Sequence, residues 1–182
     1  MIRSRSHVTL VMALAISGPL VCRLTAQTPQ PTEYEVQAAY LSNFGRFVEW
    51  PAGTAKDPFY VCVLGQDPFG SLLDTALKGE FIAGAPMAAK RIAGPGEAAS
   101  CRIIYVNPSK DTQIRNVLAG LRNTAALTVS DSADFIRLGG MVQFVLNGNR
   151  VRFEINLAAA QRAGLTLSSE LLKVAAAVRR AP

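Results

Sequence analysis

Short runs that are apolar on both sides constrain this fold more than any other feature of the sequence. Residues 59–64 (FYVCVL) and 102–106 (RIIYV) carry apolar side chains at both parities, and residues 127–130 (LTVS) form a third, shorter run. A strand with one wet face alternates polar and apolar. A strand apolar on both faces needs cover on both, as the central strands of a parallel sheet do. Helical stretches separate these runs, at residues 69–77 and 111–121, with a short helix expected at 131–138. Strand, helix, strand in this order is the pattern of an α/β domain.

The flanking segments complete that expectation. Thr32 and Glu35 have the spacing of a capping box, so a helix is expected from there to about Val48. Val36, Tyr40, Phe44 and Phe47 fall on one of its stripes, which is read as its core face. Trp50-Pro51 ends it. Residues 79–100 are glycine-rich and are expected to hold one strand, 87–92. Residues 141–146 and 151–155 flank Asn147-Gly148, a hairpin signal because both turn residues tolerate positive φ. Two helices, 156–163 and 168–179, close the chain. The expected fold is a single α/β domain with a mixed β-sheet flanked by helices and a C-terminal β-hairpin followed by helices. No repeat or low-complexity segment divides it.

Residues 1–26 have the three parts of a cleavable secretory signal. Arg3, Arg5 and His7 form the basic start, an apolar stretch runs over 8–22, and Leu24-Thr25-Ala26 offers a small residue for cleavage near Ala26. The stretch is short for a span, which takes about 20 residues. The working domain is therefore read as 27–182. The chain has 19 Lys and Arg against 13 Asp and Glu. Arg3, Arg5 and Arg23 leave with the leader, so 16 basic residues remain. That mild excess lacks the basic stripe of a nucleic-acid binder, and no nucleic-acid partner is expected.

The sole histidine, His7, also leaves with the leader. A domain without histidine has no Ser-His-Asp or Cys-His catalysis and no His-ligated metal. No catalytic residue, metal or cofactor is assigned, and the chain is not read as an enzyme. Two cysteines remain, Cys62 and Cys101. An even count in an exported chain favours a disulfide over two buried free thiols. Such a bond would close a loop of roughly 40 residues, worth ~4 kcal/mol in the chain-entropy model.

Two groups are candidate ligand or partner sites. The turn Gly65-Gln66-Asp67-Pro68-Phe69-Gly70 lies between a strand and a helix, where open α/β sheets place ligands, so Asp67 and Phe69 are singled out. The turn matches neither the dinucleotide nor the phosphate-loop pattern, and Asp-Pro initiates turns on its own account. Arg152, Glu154 and Asn156 share the polar parity of one strand. That row suits a carboxylate, an amine or a partner's edge; the plainer reading is a solvent-facing strand with cross-strand pairs. Asp131 and Asp134 look like turn and helix-start residues.

Taken in order, several blocks resemble the YfiR family of periplasmic proteins. These are EYEVQAAYLSNFGRFVEWP (33–51), VCVLGQDPFG (61–70), CRIIYV (101–106), LTVSD (127–131), GGMVQFVLNGNRVRFEIN (139–156) and AGLTLSSELLKVA (163–175). The resemblance implies a non-enzymatic, often dimeric periplasmic protein. It implies repression of an inner-membrane diguanylate cyclase through that enzyme's periplasmic sensor region. Lower cyclic-di-GMP then limits biofilm formation, and an outer-membrane-associated lipoprotein relieves the repression. Cys62 and Cys101 fall where the best-known member has a structural disulfide; that member's second disulfide has no counterpart here. The alternative is a periplasmic small-molecule-binding accessory protein serving an outer-membrane receptor or transport system.

Overall fold

Thr32 starts the first helix, α1 (Glu33–Phe44). Its hydroxyl accepts from the Glu35 amide, and its own amide donates to the Glu35 carboxylate at 2.6 Å, a complete capping box. In this computed structural model residues 30–53, 58–108 and 113–180 are described; the expected leader, 1–26, lies outside them. Helix α1 stops sooner than its periodicity suggests. Gly45 and Arg46 turn the chain, and Val48–Glu49 becomes strand β1. The buried stripe runs through Gln37, Ala38, Leu41 and Phe44. It is therefore rotated from the expected one, and Phe47, beyond the helix, is exposed.

Strand β2 (Phe59–Gly65) follows, then helix α2 (Ser71–Leu77). The glycine-rich segment holds more order than expected. Strands β3 (Phe81–Ile82) and β4 (Ala85–Ile92) form a small hairpin whose turn residues, Ala83 and Gly84, both take positive φ. A 3₁₀ turn, Pro95–Ser100, leads into β5 (Cys101–Asn107). Helix α3 (Ile114–Gly120) is described from Gln113 onward, and the expected start near Asp111 lies outside the described residues. Strand β6 (Leu127–Ser130) comes next.

The expected short helix at 131–138 is not formed. The segment is a series of turns, with Asp134 at a φ of 63°, outside the right-handed helical region. Strands β7 (Val142–Asn147) and β8 (Arg150–Asn156) form the expected hairpin, with a turn shifted by one residue. Asn147 pairs with Arg150, so Gly148-Asn149 is the loop, and of these only Gly148 takes positive φ (59°). Helix α4 (Leu157–Arg162) and strand β9 (Thr166–Leu167) follow. β9 pairs antiparallel with β1. Ser168 caps α5 (Ser169–Val174), which ends five residues before the expected Arg179. Residues Ala177–Arg179 form β10 instead. The Ala176 amide bonds the Phe153 carbonyl, and β10 lies parallel to β8, so sheet pairing overrides the local alanine-rich helix preference.

The main sheet has the order β10-β8-β7-β6-β5-β2-β4-β3. Strands β4, β2, β5, β6 and β7 run parallel and β8 turns back, so the sheet is mixed as expected. From β2 the chain crosses to β4 on one side, then returns to place β5 on the other. The order reverses between β2 and β5, which makes their carboxyl ends the switch point of an open α/β sheet.

Each central strand feeds two cores. Val61, Val63, Ile103 and Tyr105 pack with Leu41 and Phe44 of α1, Leu73 and Leu77 of α2, and Phe144 and Phe153 of the hairpin. Cys62, Leu64, Ile104 and Val106 face the other way, toward Ala98, Ile114, Leu121 and Phe135.

Candidate functional site

The first place to seek a ligand is the switch point, and the protein's own chain fills it. Gly65 has a φ of 99°, and a Cβ there would lie 2.1 Å from the Asn107 carbonyl oxygen, so glycine is required. The Gln66 amide donates to that same carbonyl at 2.8 Å, and Asn107 Nδ2 donates back to the Gln66 carbonyl at 3.0 Å. These bonds close the crevice between β2 and β5.

Asp67 and Phe69 are brought together, in structural roles. Asp67 Oδ1 accepts from the Phe69 amide at 2.8 Å and the Gly70 amide at 3.3 Å, an Asx turn that delays α2 to Ser71. Its other oxygen takes Arg91 Nε at 2.8 Å. Arg91, on β4, also bonds Asp74 and the Gly70 carbonyl. The Arg91 hydrogen bond holds the Asp74 carboxyl below its ordinary value, and its acidic partners keep Arg91 firmly charged. Arg91 thus clamps the turn to the strand beside it. No local signal marks it, because it lies 24 residues from Asp67. Phe69 is 2% exposed and packs edge-on against Tyr34 and Tyr105.

Beneath Phe69 lies a buried polar cluster that the sequence reading missed. The Tyr105 hydroxyl donates to Gln37 Oε1 at 3.2 Å, and the Asp131 carboxylate lies near enough to act electrostatically on both Tyr105 and Tyr34. Burial, then the Asp131 charge, pushes both phenols up, so both stay neutral. The signal available was Tyr105 itself, the one hydroxyl in the buried run 102–106.

Arg152, Glu154 and Asn156 lie on β8, away from the switch-point turn. Arg152 Nη2 donates to the Val174 carbonyl at 3.1 Å. Glu154 sits between Gln143 on β7 and Ala177 on β10. Asn156 is buried; its Oδ1 caps α4 through the Ala159 amide, and its Nδ2 reaches the Ile136 carbonyl at 3.4 Å. Because β10 occupies the β8 edge, a partner strand meets β10 and not this row.

Cys62 and Cys101 are joined by a disulfide, with Cα atoms 5.8 Å apart. The bond links β2 to the amino end of β5, the end away from the switch-point turn, and lies in the second core. Among the described residues no cluster of His, Cys, Asp and Glu is arranged to hold a metal, and no helix is long and apolar enough to cross a membrane.

A doubly wound α/β domain, stapled by one disulfide and with its switch point plugged by its own side chains, is the class that this fold and site define. The chain belongs to the YfiR/HmsC-like family, which it matches over residues 34–176. That family is regulatory and non-catalytic. Among solved structures, a conserved domain protein from Vibrio cholerae O1 biovar El Tor aligns with a TM-score of 0.54 at 10% identity, over 81% of this chain and 60% of that one. This chain therefore spans about 60% of that protein's length, and the likeness is one of fold. The ABC domain in complex with L-Trp from Streptococcus pneumoniae aligns with a TM-score of 0.49 at 13% identity, over 66% of this chain and 56% of that one.

Proposed function

We propose that this protein is a periplasmic, non-enzymatic regulator that represses an inner-membrane diguanylate cyclase by binding its periplasmic sensor region. Repression lowers cyclic-di-GMP and limits biofilm formation, and an outer-membrane-associated lipoprotein relieves it. The family match over residues 34–176 carries this reading. The physics is compatible with it. A disulfide-stapled domain is a stiff body, and a stiff body that prefers one receptor state a hundredfold shifts the equilibrium by ~2.7 kcal/mol. The disulfide suits an oxidising compartment.

The surface assigned to the partner is the open edge beyond β10 with the apolar side chains near it. Val174, 56% exposed, lends its carbonyl to Arg152, and Leu146, 59% exposed, lies opposite Val151 toward the hairpin turn. Deleting the gene in a strain with an intact cyclase should raise cyclic-di-GMP, and the purified domain should bind the isolated sensor region in a calorimetric titration. Leu146→Asp should weaken that binding. Unchanged cyclic-di-GMP together with no binding would overturn the proposal.

A further inference from the structure

A cleft of about 520 Å³ opens at the end of the sheet where β6 and β7 begin, opposite the switch point. Three arginines converge on it from two elements: Arg115 and Arg122 on and just after α3, and Arg162 at the end of α4. Among the described residues, no acidic side chain lines it and none of the three arginines has an ion-pair partner. Leu121, Leu138 and Met141 supply an apolar lining.

Helix dipoles account for part of this arrangement. A cation at a helix C-terminus is favoured, which suits Arg122 and Arg162 taken singly. It does not suit Arg115, in the first turn of α3, where the dipole opposes a cation. Nor does it explain why all three line one cavity with no carboxylate beside them among the described residues. A fourth donor is buried in the wall. Thr128 is 4% exposed, and its hydroxyl oxygen accepts the Met141 amide at 3.2 Å. Its own proton has no acceptor among the described residues, which leaves an O–H free to donate.

We infer that this cleft binds a small organic oxyanion, a carboxylate or phosphate ester carried on an apolar body. Guanidinium groups match such oxygens with paired, charge-assisted hydrogen bonds. The volume lies within the roughly 300–1,000 Å³ of small-molecule sites, and the leucine and methionine side chains receive the body.

The test is a calorimetric titration of the full domain with phenyl phosphate, benzoate, inorganic phosphate and benzyl alcohol. Phenyl phosphate or benzoate should bind, inorganic phosphate more weakly for lack of an apolar body, and neutral benzyl alcohol not measurably. Affinity should fall with added salt. Arg122→Gln with Arg162→Gln should weaken binding about tenfold or more, since two charge-assisted bonds are lost. Both side chains are exposed, so the melting temperature should hold, separating lost binding from lost folding. Cosedimentation with phosphatidylglycerol vesicles that needs the same arginines would support the oxyanion site and identify a lipid phosphate as its source. No binding of either aromatic anion, or binding unchanged in the double variant, would overturn the assignment. The titration needs no cyclase, so its failure leaves the repressor reading standing, and the reverse holds too.

Discussion

The two faces of the sheet are held in different ways. On one, α1, α2, α4 and α5 lie over aromatic packing: Phe44, Phe144, Phe153 and Tyr40 meet with ring centroids 5.2–6.1 Å apart. On the other, the cover is a 3₁₀ turn, the two-turn helix α3 and the turns at 131–139. Phe135 is the one ring buried there among the described residues, and the disulfide lies in that core. The first face buries large apolar area through geometry alone. The second has less to bury, and a covalent link restricts the unfolded chain where packing contributes less. The arginine-lined cleft opens where the cover from these two faces meets, between α3 and α4.

The largest break in this contrast should come from the aromatic face. Phe153→Ala removes a fully buried ring from its centre and should cost about 3–5 kcal/mol in urea unfolding. Replacing Cys62 and Cys101 together by alanine should cost about 2–4 kcal/mol. Its signature is regional: hydrogen exchange should quicken in α3 and the 3₁₀ turn more than in α1. Uniform loss of protection would mean that the faces are not separate units. Asn156 ties the faces together, since it caps α4 on one side and holds the Ile136 carbonyl on the other. Asn156→Ala should cost about 1–2 kcal/mol and loosen the 131–139 turns, again read by exchange.

The smallest effect concerns pH. The Arg91 hydrogen bond depresses the Asp74 carboxyl in the folded state, so the pair contributes stability at neutral pH. That contribution is lost as pH falls through the depressed value, because protonation then favours the unfolded chain. Asp74→Asn should flatten the acid limb of the stability curve slightly, the pair being largely exposed.

The faces also differ in how legible they were. Strands covered on both sides announce themselves, and β2, β5 and β6 begin and end within a residue or so of their apolar runs. The capping box places the start of α1 for the same reason: its determinants lie within four residues. The errors fall where a distant partner decides. Alanine-rich residues 175–179 look helical until β8 offers an edge, and residues 48–49 leave the helix because β9 is there to pair. The turn at Asp67 was visible, whereas its clamp was not, since Arg91 arrives from another strand. The arginines of the cleft were equally hidden; Arg115 and Arg162 stand 47 positions apart and meet only in the folded chain.

The disulfide also has a mechanical meaning. It bridges positions 39 apart in the chain, and the bridged loop contains α2, β3, β4 and the 3₁₀ turn. Under a pull applied at residues 30 and 180, tension would pass through the sulfur bridge and bypass that loop. At ~3.4 Å per extended residue, about 130 Å of contour would stay locked. A force-extension trace should lengthen by that amount once the bridge is reduced, and strands β3 and β4 should bear load only then.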